Sequence, residues 1–122
     1  MLIGFFSEKS IKAIGLSIEI GTPIYLGETN INHMINSHPL DYTKYEAYLP
    51  EIIRSPDYIG ADESDGTIEF VKYIQTGNEH IKVAVRIANS GKYYVRTLYT
   101  ITQRRIEQFI TKGYLVKLDK DR

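Results

Sequence analysis

The stretch Thr67–Ile101, TIEFVKYIQTGNEHIKVAVRIANSGKYYVRTLYTI, decides the fold. Apolar and polar residues alternate along it with a period near two. Val, Ile, Thr, Tyr and Phe dominate, the types that suit a pleated, half-buried surface. Thr76-Gly77-Asn78 and Asn89-Ser90-Gly91 interrupt the alternation with turn-forming residues. The pattern predicts three strands, Thr67–Gln75, Glu79–Asn89 and Lys92–Ile101, joined as an antiparallel meander. Downstream, Thr102 is suited to cap a helix over Gln103–Lys112 that Gly113 stops, and a short strand at Tyr114–Leu118 closes the sheet as its fourth member.

Upstream of Ser55-Pro56 the period changes to about 3.6. Tyr42, Tyr45, Leu49, Ile52 and Ile53 recur at helical spacing across Asp41–Arg54, with a kink expected at Pro50. Ile31, Met34 and Ile35 predict a short helix over Glu28–His38, with Thr29 or Asn30 available as its cap and Pro39 barring its continuation. Ile14–Leu26 alternates loosely around Gly21-Thr22-Pro23 and reads as two short strands. The expected architecture is α+β: N-terminal strands and helices, then a four-stranded antiparallel sheet and a C-terminal helix. No repeat, low-complexity run or linker divides residues 1–122, so a single domain is expected. A chain of 122 residues with 43% hydrophobic content supports one core and is too short for two.

Composition removes several functional classes. With no cysteine there is no disulfide, thiolate nucleophile, zinc finger or iron–sulfur site. His33, His38 and His80 match no common metal-ligand spacing, so no metal and no cofactor are expected. The apolar start Met1–Phe6 is too short for a signal peptide, and no window approaches a membrane span. These features predict a soluble protein of a reducing compartment. Formal net charge is zero, but the sum hides an asymmetry. Residues 1–69 carry four basic and eleven acidic side chains, residues 70–118 nine basic and two acidic, and the last four residues cancel. A basic half of this kind suits an anionic partner. Ten tyrosines complete the picture: most such residues finish a core with one wet edge, and a minority stack on bases.

The middle strand puts Lys82, Ala84 and Arg86 on one face and Val83, Val85 and Ile87 on the other. A three-residue turn pairing Asn89 with Tyr93 sets Arg86 opposite Arg96 and Val85 opposite Thr97. A two-residue turn would instead place Arg96 against Val85. Adjacent guanidiniums repel unless a phosphate bridges them, so the pair is either solvated on an open face or an anion site. His33 neighbours the apolar stripe and is either structural or a side chain aimed at the sheet. His38 lies five residues on, a rotation of about 140°, so the two cannot share one helical face. It is either a second catalytic group or a helix-ending residue. Lys72 lies on the open face with the arginines or protects an edge strand. His80 reads as exposed, and Asp62, Glu63 and Asp65 as a solvated loop.

Three motifs in order, H-x-x-x-x-H-P at His33–Pro39, P-D-Y-I-G at Pro56–Gly60 and R-T-L-Y at Arg96–Tyr99, resemble the phage-encoded barnase–EndoU–colicin–RelE-like nuclease domains over roughly residues 24 to 118. The resemblance implies a metal-independent endoribonuclease. Such an enzyme cleaves RNA through the ribose 2′-hydroxyl to a 2′,3′-cyclic phosphate and serves as a toxin or phage effector. Carried onto this chain, His33 and His38 would be the base and acid, in either order. Arg86 and Arg96 would stabilise the phosphorane, with Lys72 helping, and Thr97 would bond a phosphate oxygen. Tyr94 or Tyr99 would stack a base. In the Arg86–Arg96 register Thr97 faces away from Arg96, a tension that a β-bulge would reconcile. The implied partners are RNA (tRNA or mRNA) and an immunity or antitoxin protein, in the cytoplasm of a bacterial or phage-infected cell, with no membrane association. The competing readings are a non-catalytic RNA-binding or phage accessory module on the same fold, and a protein-interaction domain whose charge split is incidental.

Overall fold

The computed structural model describes residues 1–119; Lys120, Asp121 and Arg122, counted in the charge of the tail, lie outside them. The chain runs β1 (Leu2–Phe5), α1 (Glu8–Ile14), β2 (Pro23–Tyr25), α2 (Glu28–Ser37), α3 (Pro39–Tyr45), a 3-10 turn (Glu46–Tyr48) and α4 (Leu49–Arg54). It continues through β3 (Tyr58–Asp62), β4 (Thr67–Ile74), β5 (Glu79–Ile87), β6 (Tyr93–Ile101), α5 (Gln103–Thr111) and β7 (Val116–Lys117). The α+β class and the central meander agree with the sequence, as does α5, which Thr102 caps by accepting the Arg105 N–H at 3.2 Å.

The sheet is larger than four antiparallel strands. It has seven, in the order β1-β2-β6-β5-β4-β3-β7, and it is mixed because β2 runs parallel to β6. Periodicity does not mark β1 or β3, since each is short and carries a glycine, Gly4 or Gly60. Of the two strands expected within Ile14–Leu26 only Pro23–Tyr25 forms; Ile14 ends α1, capped by Gly15 at φ 62°. The helix expected over Asp41–Arg54 is two short helices, each with proline in its first turn, separated by the 3-10 turn. Gly27, and neither Thr29 nor Asn30, occupies the N-cap of α2.

One sheet face carries the main core. Phe70, Ile81, Val83, Val85, Val95 and Leu98 point toward the helices and are fully buried with Met34, Leu49, Ile52 and Ile53. The opposite face holds a second, smaller cluster where Ile106 of α5 meets Val71, Ile101 and Leu115. Helix α5 covers only one end of that face and leaves the other open.

Two local features give direct tests. Gly60 lies in β3 beneath the backbone of Tyr114, and a Cβ there would stand 2.0 Å from the Tyr114 carbonyl oxygen. Backbone cannot rotate away as a side chain would, so Gly60→Ala is expected to lower the unfolding free energy by about 1–3 kcal/mol in urea titrations. At the far end of β5, Glu79 Oε1 accepts the buried Tyr45 hydroxyl at 2.5 Å and Lys44 Nζ at 3.0 Å. The Tyr45 bond, and then Lys44, hold the Glu79 carboxyl below its ordinary value. A carboxyl depressed in the folded state stabilises the fold above its unfolded pKa, and that contribution is lost as pH falls through the folded one. The urea midpoint is therefore expected to drop between about pH 5 and about pH 3, and Glu79→Gln to flatten part of that drop.

Candidate active site

The β5–β6 turn fixes which side chains meet. Ala88 donates to the Lys92 carbonyl and Gly91 to the Ala88 carbonyl, with Gly91 at φ 87°, so the loop is Asn89–Gly91 and closes one residue earlier than the sequence suggested. Arg86 consequently pairs with Tyr94, and Arg96 is not directly opposite it. Val85 pairs with Val95 and Ala84 with Thr97, leaving Arg96 as the extra residue of a β-bulge. Val95 and Leu98 both face the core although they stand three positions apart. The bulge absorbs that odd spacing and turns Arg96 and Thr97 to the same side.

That side forms a cavity of about 360 Å³. Arg86, Arg96 and Thr97 line it from the sheet, with Ala84 and Thr67 beside them. Helix α2 supplies the remaining wall. Strand β2 pairs with β6 only at Tyr93 and Tyr94, and α2 packs against β6. From there Met34 reaches the core while the adjacent His33, with Thr29 and Asn30, reaches the cavity. Four residues singled out in the sequence, His33, Arg86, Arg96 and Thr97, thus converge from three elements.

The others lie apart. His38 caps the end of α2 and stacks on Tyr99, with ring centroids 5.2 Å apart and planes inclined by 27°. Tyr94 packs against Tyr25 at 5.8 Å. Lys72 is on the helix-covered face, away from the arginines, and donates to the Ser55 carbonyl at 2.7 Å. Its strand is interior to the sheet, so edge protection does not apply. His80 is partly buried between Tyr58 and Tyr73, and burial lowers its pKa against the opposing effect of Asp57.

Acidic residues from the first half of the chain meet the basic face. Asp65 accepts the Thr67 N–H at 3.0 Å through one oxygen and faces Arg86 Nη1 at 3.4 Å through the other. Hydrogen bonds from Thr67 first, then the Arg86 charge, hold its carboxyl below the usual range. Lys82 is buried and its ammonium lies 2.8 Å from Glu69, over the rings of Phe109 and Tyr99. Burial opposes its charge, but Glu69 and the Tyr99 hydroxyl outweigh burial and raise its pKa. Arg96 has no acidic partner among the described residues, which leaves it the least compensated cation of the cavity. Asp65, Glu69 and Lys82 received no role from the sequence. The 82-84-86 alternation that singled out Arg86 also placed Lys82 on this face.

Fold and cavity together define the class: a small α+β domain whose sheet presents two arginines, a hydroxyl and an imidazole to one concavity. The chain belongs to the phage-Barnase-EndoU-ColicinE5/D-RelE like nuclease 3 family, whose profile matches residues 2–108. The match starts earlier than the resemblance suggested, taking in β1 and α1, and ends within α5. No curated relative and no solved structure matches the chain. Among the described residues no group of three or more His, Asp or Glu side chains stands where it could hold a metal ion. No helix among them is long and apolar enough to cross a membrane.

Proposed function

We propose that this nuclease-family protein is a metal-independent endoribonuclease, acting as a toxin or phage effector. The observation that carries the reading is the convergence of His33, Arg86, Arg96 and Thr97 on one cavity. In the proposed reaction the ribose 2′-oxygen loses its proton and attacks the adjacent phosphorus. The bond to the 5′-oxygen breaks, and that oxygen takes up a proton. The products are a 2′,3′-cyclic phosphate and a 5′-hydroxyl. His33 handles one of the two protons, and His38, outside the cavity at the end of α2 and stacked on Tyr99, is assigned the other.

Charge on the phosphorane is met by fixed donors. Guanidinium groups bind phosphate oxygens with paired hydrogen bonds, and Arg96 is available for that geometry without first leaving a carboxylate. Arg86 must leave Asp65, but an exposed ion pair at 3.4 Å is weak and a phosphate that accepts two bonds displaces it. The Thr97 hydroxyl donates to a third oxygen. Positive charge and proton transfer are thus both supplied by side chains.

Incubating the purified protein with tRNA and labelled mRNA in EDTA tests this. Wild type is expected to cut RNA, and His33→Ala and Arg96→Ala to cut it far more slowly. RNA that stays whole while binding wild type identifies a binding module. Affinity that does not fall at least about tenfold between 50 and 200 mM salt rules out a phosphate-reading surface of either kind.

A further inference from the structure

The same sheet face carries a second cavity of about 720 Å³ that the proposed chemistry does not use. Its floor is the Glu69–Lys82 pair, with the Lys82 side chain only 7% exposed. One wall is aromatic, Phe109 and Tyr114, with ring centroids 6.2 Å apart. The rim toward the β3–β4 loop is acidic, from Asp62 and Glu63. Gly60 lets the Tyr114 backbone cross β3 closely, and Gly113, at φ 80°, turns the chain into that wall. The volume lies in the range of sites that enclose small organic groups.

The electrostatics exclude a phosphate. Lys82 is committed to Glu69, and three carboxylates outnumber Lys82 and the exposed Lys112. The cavity therefore suits a flat, uncharged ligand that donates hydrogen bonds to carboxylates and stacks on rings. Position narrows the choice. Lys82 lines this cavity and Ala84, two residues along β5, lines the arginine cavity, so the two adjoin at about 7 Å along one strand. Glu69 sits opposite Ala84 across the same boundary.

The geometry points to a nucleobase subsite: the larger cavity takes an unpaired base bearing an exocyclic amino group, next to a phosphate held by Arg86 and Arg96. Unstacked RNA bases are recognised by aromatic stacking and by hydrogen bonds to their edges, and carboxylates accept from exocyclic amines. This inference rests on the ribonuclease reading for its ligand class.

Nucleosides carry no phosphate and so probe this cavity alone. In NMR titrations of the full chain, adenosine, guanosine and cytidine are expected to shift resonances of Phe109, Tyr114 and Lys82. Uridine, lacking the amine, is expected to bind at least about threefold more weakly, a modest step for one hydrogen bond. Tyr114→Ala, at a largely exposed ring, is expected to weaken binding about fivefold or more, the scale of one lost stack. Glu63→Gln is expected to narrow the gap to uridine. Equal binding of uridine, shifts confined to the arginine cavity, or no shifts at all would overturn the subsite even if RNA is cut. Nucleoside binding here by a protein that leaves RNA whole would instead reject the nuclease reading and keep the subsite.

Discussion

Replacing Arg96 with alanine is expected to lower kcat for RNA cleavage by about 10²–10³-fold, the scale of removing one preorganised donor from a developing oxyanion. Stability should hardly change. Arg96 occupies the extra position of the bulge, makes no ion pair among the described residues and is only partly buried. Its cost to the fold is small and its contribution to the cavity's charge is large. Arg96→Lys keeps the charge but loses the planar fork, so it should recover only part of the rate. Thr97→Val, which keeps β-branching in the strand, should cost less because one neutral hydrogen bond is lost. Single-turnover rates for the three variants, beside their thermal midpoints, check the ordering. Arg96→Ala at the wild-type rate would remove the bulge from the mechanism.

The largest expected effect on stability lies at Glu69. Lys82 is buried between β4, α5 and Tyr99, and its charge is accommodated chiefly by Glu69, 2.8 Å away. Removing one member of a buried pair leaves an uncompensated charge, so Glu69→Ala is expected to cost about 3–5 kcal/mol. Replacing both members with apolar residues of similar volume, Glu69→Leu with Lys82→Met, should cost far less, since such swaps are often neutral. The double change also removes the floor of the larger cavity. Urea unfolding of the two variants separates a pair needed for stability from one retained for binding. The raised pKa of Lys82 sets the pH window of its contribution: full below the ordinary lysine value, and lost as pH rises through the higher folded value.

The meander was legible because β4, β5 and β6 each carry their own alternating apolar face and are punctuated by turn residues. Strand β3 was not, since Gly60 sits at its centre and glycine argues against a strand. The reason for that glycine, the crossing of Tyr114, lies more than fifty residues away in the chain. Strand β1 is four residues long and finds its partner only after α1 has folded back. The site was legible in part for a similar reason. Alternation gave the arginine face, but the register depended on a turn that closes one residue earlier than composition suggested. Val95 and Leu98, two apolar residues three apart in a strand, were the local sign of the bulge that brings Arg96 and Thr97 together. Lys72 illustrates the opposite case: β4 is paired to β5 with Lys72 against Ile81, which puts it on the helix-covered face. The charge split survives in the fold, with two of the basic residues on the cavity face answered by carboxylates from the acidic half.

The most direct measurement compares an RNA oligonucleotide with one carrying a single 2′-deoxyribose at the mapped cleavage position, both with the wild-type protein in EDTA. Cleavage of the first to a 2′,3′-cyclic phosphate and a 5′-hydroxyl, and none of the second at that position, is the predicted result. Cutting at the deoxy position, or no cutting of either strand, would contradict it.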